Sequence, residues 1–98
     1  MYRIEYLPIA MQDLTEIAQY ITEALKNKTA AMKTMEKITD SIERLTQFPY
    51  ANPVHMPIRP LKHEFRKLPV ENYLVFYWVE NDTVTVARVI YAKREYRP

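Results

Sequence analysis

The run Tyr73-Leu74-Val75-Phe76-Tyr77-Trp78-Val79 decides the fold. It is shorter than an ordinary buried helix, and its β-branched and aromatic side chains suit a pleated strand. Side chains of a strand alternate between two faces, so a run without a polar member predicts a central strand covered on one side by other elements and at least partly on the other. Asn72 precedes the run and Asn81-Asp82 follow it. The chain contains no glycine, and Asn and Asp are the side chains that best tolerate left-handed backbone in its absence. Both positions are therefore read as reversals, with flanking strands from roughly Glu64 to Leu68 and from Thr83 to Tyr91.

Upstream, residues 48–60 read FPYANPVHMPIRP and carry Pro49, Pro53, Pro57 and Pro60. Proline denies a helix here and favours extended or turn backbone. This is a long stiff loop, either a functional segment or a plain strap from helix to sheet. Before it come two apolar stripes at helical spacing: Ala10, Leu14, Ile17, Ile21 and Leu25, then Met32, Met35, Ile38, Ile42 and Leu45. Pro8 suits a helix start, Asn27-Lys28 interrupt the pattern, and Thr29 is a candidate cap for the second helix. The methionines read as core filler, with a partner groove as the alternative. Tyr2-Arg3-Ile4-Glu5-Tyr6 alternates with period two, a short strand with one buried face. The predicted fold is α+β: an N-terminal strand, an antiparallel two-helix hairpin packed on one face of an antiparallel sheet, in the order β-α-α-β-β-β.

The chain has 98 residues, 48% of them hydrophobic and 27% charged, which predicts one domain over residues 1–98 with one packed core. Without cysteine, disulfides and thiolate metal sites are excluded, and His55 and His63 would need carboxylate help to make a zinc site. No signal-peptide pattern or apolar run of spanning length is visible, so a cytoplasmic protein with no membrane partner, no metal and no cofactor is expected.

Charge is unevenly placed. Residues 59–98 hold eight Lys and Arg against five acids, whereas residues 9–48 hold five against six. Such a bias marks either a surface for phosphates or an acidic protein, or an indifferent solvated face. No glycine-rich phosphate loop, cysteine nucleophile or HExxH motif is present. What remains is a basic and aromatic set: Arg66 and Lys67 on one predicted strand, Arg88 on the last, and Lys93, Arg94 and Tyr96 beyond it. In the last strand Val84, Val86, Arg88 and Ile90 are expected on one face, so Arg88 interrupts an apolar row and must meet either an external anion or a carboxylate within the fold. Metal-free chemistry on RNA needs a base, cations for the charge building on phosphorus, and an acid. Lys67, His63, Arg94, Glu95 and Tyr96 are the residues available for those roles.

Three stretches together resemble the RelE/ParE superfamily of toxins from type II toxin–antitoxin systems. They are Leu7-Pro8 with Asp13-Leu14, Glu16-Ile17 and Tyr20-Ile21; Arg66-Lys67-Leu68 with Asn72-Tyr73-Leu74-Val75-Phe76-Tyr77; and Arg88-Val89-Ile90-Tyr91-Ala92-Lys93-Arg94-Glu95. The resemblance implies a helical hairpin on a sheet, a growth-inhibiting toxin, a cognate antitoxin that wraps it, and homo- or hetero-oligomers with that antitoxin. RelE-like members cut mRNA on the ribosome, and Lys67 and Arg94 match two of their catalytic positions. Leu74 stands where such toxins carry a further arginine, and Tyr96 has to replace a tail tyrosine. ParE-like members largely lack that set and poison DNA gyrase. The resemblance therefore favours a ParE-like, non-enzymatic toxin. The alternatives are a ribosome-dependent, metal-independent endoribonuclease using Lys67, Arg94 and Tyr96, and a non-toxic binding protein of the same fold. Arg66, Arg88, Lys93 and Arg94 are the residues expected to meet target or antitoxin.

Overall fold

The computed structural model describes residues 1–55 and 62–95, with side chains through residue 93. The deciding run lies within strand β3 (Tyr73–Glu80). Strands β2 (Arg66–Val70) and β4 (Thr83–Tyr91) flank it and are antiparallel to it. The N-terminal strand β1 (Arg3–Tyr6) lies beyond β4, giving the order β1-β4-β3-β2. The β-α-α-β-β-β order is as expected from sequence. One pairing departs from an all-antiparallel sheet: β1 runs parallel to β4, with Arg3 opposite Thr83 and Tyr6 opposite Val86, so the sheet is mixed.

The path of the chain explains that direction. Helix α1 (Pro8–Gln19) leaves the end of β1 and runs beside the part of β4 that β1 does not reach. Helix α2 (Lys28–Glu43) and a 3-10 turn, Arg44–Thr46, bring the chain back to the start of β1, where the Tyr2 N–H donates to the Thr46 carbonyl at 3.0 Å. From there the strap of residues 47–65 begins β2 in the direction of β1. Two tight reversals later β4 has that direction again.

The core lies between the helix hairpin and the sheet: Ala10, Leu14, Ile38, Ile42 and Leu45 pack on Val75, Tyr77, Val84, Val86 and Val89. Burying side chains of this size contributes roughly 1.5–3 kcal/mol each before chain entropy is counted. Two members of the apolar stripes are not in it. Leu25 is 58% exposed because α1 ends in a π-helical turn, Tyr20–Ala24, whose wider winding rotates later residues off the stripe. Met32 is 60% exposed because the buried row of α2 is Ala31, Ile38 and Ile42, continued by Leu45 of the 3-10 turn, with Met35 beside it. The α2 cap is Asn27, whose side chain accepts from the Ala30 N–H at 2.9 Å, and not Thr29.

Glycine-free reversals are made by Lys26, Glu71 and Asn81, at φ of 51°, 53° and 55°. Asn81 is an expected position. At the β2–β3 turn the left-handed residue is Glu71 and not Asn72, because β2 runs two residues further than its apolar pattern suggested, to Val70.

A bulge corrects the reading of β4. Phe76 pairs with Arg88 but Tyr77 pairs with Val86, so Ala87 is extra and the faces shift past it. The row toward the helices is therefore Val84, Val86 and Val89, all buried, and Arg88 does not interrupt it.

The second face of β3 is also covered. Leu74 and Phe76 are buried there; His55 of the strap meets Phe76 edge-on at 5.2 Å, and His63 stacks on Trp78 at 3.9 Å with Phe65 edge-on to both. Residues 56–60, including Pro57 and Pro60, lie outside the described set.

Candidate functional site

Arg88 meets an internal carboxylate. Its Nε donates to Asp13 Oδ2 at 2.8 Å and its Nη2 to Asp13 Oδ1 at 3.0 Å. Asp13 Oδ2 also accepts from the Val89 N–H at 2.9 Å. Among the described residues no strand pairs with this edge of β4 beyond Val86, and a backbone donor left there without a partner would be costly. Asp13 takes the place of the missing strand and the Arg88 guanidinium neutralises it. That partnership holds the Arg88 pKa above its usual value against the opposing effect of burial.

Asp13 was legible in principle. It follows Ala10 by three residues and precedes Ile17 by four, which puts a carboxylate on the buried stripe. A charge at such a position needs a partner.

Arg66 is also engaged within the fold. On β2 opposite Tyr77, it donates to the Asn52 carbonyl at 2.7 Å, lies 5.0 Å from the centre of the Tyr50 ring, and has Glu64 at 3.6 Å. Nearby the Tyr77 hydroxyl donates to the Pro49 carbonyl at 2.8 Å and accepts from Asn52 Nδ2 at 3.1 Å. Together these bonds fasten the strap to the sheet. Burial pushes the Tyr77 phenol above its ordinary pKa, with the Asn52 bond and Arg66 opposing.

Lys67 pairs with Phe76, which pairs with Arg88. Lys67 and Arg88 are thus two strand spacings apart, about 10 Å between backbones. Leu74, 6% exposed, sits between Pro69 and Ile90 on its neighbours, so that row is apolar across three strands. Lys93 is exposed on a short closing helix, α3 (Ala92–Glu95), which also places Arg94; the Arg94 and Glu95 side chains and all of Tyr96 lie outside the described set. Among the described residues, then, Arg66 and Arg88 are occupied inside the fold, at different strands, and Lys93 stands apart from both. Among those residues no group of three or more His, Asp or Glu is placed to hold a metal ion, and no helix is long and apolar enough to cross a membrane.

A concavity lies elsewhere. A groove of about 510 Å³ runs between the end of α1 and the joined ends of β3 and β4, lined by Glu16, Ile17, Tyr20 and Leu25 on one wall and Tyr73, Ile90 and Tyr91 on the other, with Asp13 and Asn72 at its margins. Sequence reading missed it because the π turn that presents Tyr20 and Leu25 has no signature in the pattern of apolar residues.

Two helices over a mixed four-stranded sheet in this order form the fold of a class of small bacterial toxins. The structure superimposes on that of the chromosomal ParDE toxin–antitoxin system of P. aeruginosa with a TM-score of 0.76 at 18% identity, over 93% of this chain and 96% of that one. It also matches the E. coli DinJ-YafQ complex, with a TM-score of 0.63 at 15% identity over 99% and 100% of the two chains. For the Staphylococcus aureus YoeB-YefM complex the TM-score is 0.51 at 16% identity over 93% and 97%. At these identities the likeness is one of fold. No curated protein sequence matches. The model of the family described as ParE toxin of the type II toxin–antitoxin system parDE matches residues 4–96, and the chain belongs to that family. It is a toxin of a type II toxin–antitoxin system.

Proposed function

We propose that this toxin acts on DNA gyrase without cleaving RNA, and that a cognate antitoxin holds it inactive. The observation that carries the choice of target is Leu74. Cleavage of RNA without a metal requires cations around the scissile phosphate, and the third strand offers at that position a buried leucine between Pro69 and Ile90. Arg66 and Arg88 add no free charge, because one fastens the strap and the other neutralises Asp13. Membership of the ParE family supports the same reading. An exposed cation available to a protein target is Lys93 on α3, the helix that also carries Arg94.

A supercoiling assay tests the proposal. Purified chain added to gyrase and relaxed plasmid inhibits supercoiling, and the same preparation leaves mRNA intact in a translating lysate. Codon-linked mRNA cuts that disappear in Arg94→Ala, with gyrase unaffected, would instead make the protein a ribosome-dependent endoribonuclease.

A further inference from the structure

Another depression lies at the far end of α2, away from the groove. The last turn of that helix and the 3-10 turn bring Ser41, Arg44 and Leu45 against Phe48 of the strap and Leu68 and Pro69 of β2, around a space of about 280 Å³. Among the described residues that line it, Arg44 is the charged one. It is exposed, and its guanidinium makes no hydrogen bond or ion pair among those residues; Asp40, one turn earlier, is bonded to it through the backbone, its carbonyl accepting the Arg44 N–H. Ser41 is half-buried, lies three residues before Arg44 and therefore on the same side of the helix, and its hydroxyl donates to no described group. Asn52, also in the lining, commits its amide nitrogen to Tyr77 and its carbonyl to Arg66. The rest is apolar: Leu45 is 2% exposed, and Phe48, 63% exposed, presents its ring to solvent. Backbone pairing is closed to an occupant here. The Lys67 N–H turns outward to the Pro53 carbonyl, so the next residue of β2 whose backbone faces that side is Pro69, which has no N–H to donate.

We infer that this depression binds an acidic polypeptide segment, one that places an aspartate or glutamate against Arg44 and Ser41 and lays flanking apolar side chains on Phe48, Leu45 and Leu68. Charge complementarity selects the occupant: a basic segment is repelled by Arg44, and a purely apolar one covers the guanidinium without replacing its water. The planar guanidinium meets a carboxylate at two points, and the Ser41 hydroxyl is a further donor. Carbonyls at a helix end repel an anion when they are bare. Here they are taken, since Glu43 accepts the Thr46 hydroxyl at 2.8 Å and Arg44 accepts the Gln47 and Phe48 N–H groups at 3.1 Å. The inference goes beyond the choice of gyrase as target and does not depend on it.

The test is an NMR titration of the purified chain with three defined probes: acetyl-Leu-Glu-Leu-amide, its neutral counterpart acetyl-Leu-Gln-Leu-amide, and sodium acetate. The glutamate peptide gives saturable shifts at the Phe48 ring, the Leu68 methyls and the Arg44 Nε–H. The glutamine peptide binds about threefold more weakly, the scale of one exposed ion pair. Arg44→Gln, an exposed position whose change leaves the urea midpoint in place, weakens the glutamate peptide by the same factor, and Phe48→Ala, also exposed, weakens it at least as much. Lys33→Gln removes an exposed cation elsewhere on α2 and leaves the affinity unchanged. Equal affinity for the two peptides, or no saturable shift at millimolar peptide, overturns the inference. So does an equal loss in Lys33→Gln and Arg44→Gln, which assigns the attraction to net charge. Shifts from acetate as large as those from the peptide overturn it as well, because the site then holds a carboxylate and no polypeptide, and a concentration-dependent dimer with contacts on Phe48 and Leu68 does so by making a second copy the occupant. The titration contains neither gyrase nor antitoxin, so its outcome and that of the supercoiling assay are read independently.

Discussion

The Arg88 guanidinium and the Asp13 carboxylate form a two-point ion pair, and the same carboxylate accepts the Val89 backbone N–H. Asp13 therefore does the work of a strand for β4 where β1 stops. Its loss leaves two separate groups without a partner, whereas loss of Arg88 leaves one of the carboxylate's bonds in place. Asp13→Ala is expected to destabilise the protein by about 3 kcal/mol and Arg88→Ala by about half that, since Arg88 is partly hydrated. Urea denaturation of both variants and of the double variant checks this. Equal losses from the two single changes would show that the backbone bond contributes nothing.

Tyr77 offers a second measurement. Its buried hydroxyl bridges Pro49 and Asn52, so Tyr77→Phe is expected to lower stability by roughly 1–3 kcal/mol through two polar groups left unpaired. Trypsin cleavage in the strap should accelerate with it. No change in either would mean that the strap is held by the Arg66 side chain and by the backbone bridge at Val54, with its Lys67 N–H to Pro53 carbonyl bond.

The tyrosines also set an alkaline limit. Burial raises the pKa of Tyr77, Tyr6 and Tyr73 in the folded chain. Below the ordinary tyrosine range, near pH 10, both states are protonated and this contribution to stability is fully present. Above it the unfolded chain ionises first, so stability falls as pH rises. Urea midpoints are expected to hold steady between pH 7 and 9 and to drop beyond pH 10. Tyr77→Phe should make that drop shallower, and an unchanged slope would assign it to other groups.

Lys26 gives a prediction of opposite sign. Its φ of 51° is left-handed, a conformation that costs a residue with a Cβ about 1–2 kcal/mol. Lys26→Gly removes that strain but adds freedom to the unfolded chain, for an expected net gain of about 0.5–1 kcal/mol. The denaturation midpoint should rise at constant slope.

For function, Lys93→Glu combined with Arg94→Glu is expected to abolish inhibition of gyrase by the purified toxin, and Lys67→Ala to leave it within about threefold of the parent, the effect of one weak surface charge. The supercoiling assay reads both. Melting temperatures, expected to be unchanged in the first variant, separate lost binding from lost folding.

Elements with a clean period were legible in the sequence. The apolar run of β3, the alternation in β1 and the stripes of both helices gave the order of elements and most of the core. What was hidden depended on residues that break a period. Ala87 as a bulge moved Arg88 out of an apolar row it was expected to interrupt, and the π turn at Tyr20–Ala24 moved Leu25 off the core and opened the groove. Pairing direction was hidden for a different reason: alternation in β1 says which face is buried and nothing of which neighbour it joins. Of the basic residues, composition alone could not separate Arg66 and Arg88, consumed inside the fold, from the exposed Lys93.

The parallel pairing of β1 with β4 has a bearing on when the toxin becomes dangerous. Arg3 is opposite Thr83, so the first strand made by the ribosome has no partner until almost the last one has emerged. Local helices form early during synthesis, but a sheet closed by contacts of such long sequence separation assembles slowly and only near completion. A prematurely terminated product lacking β4 has neither its central pairing nor the carboxylate-capped edge, and is expected not to reach this fold. The arrangement is therefore expected to delay the folded toxin until the full set of strands exists, leaving time for an antitoxin to meet it as it folds.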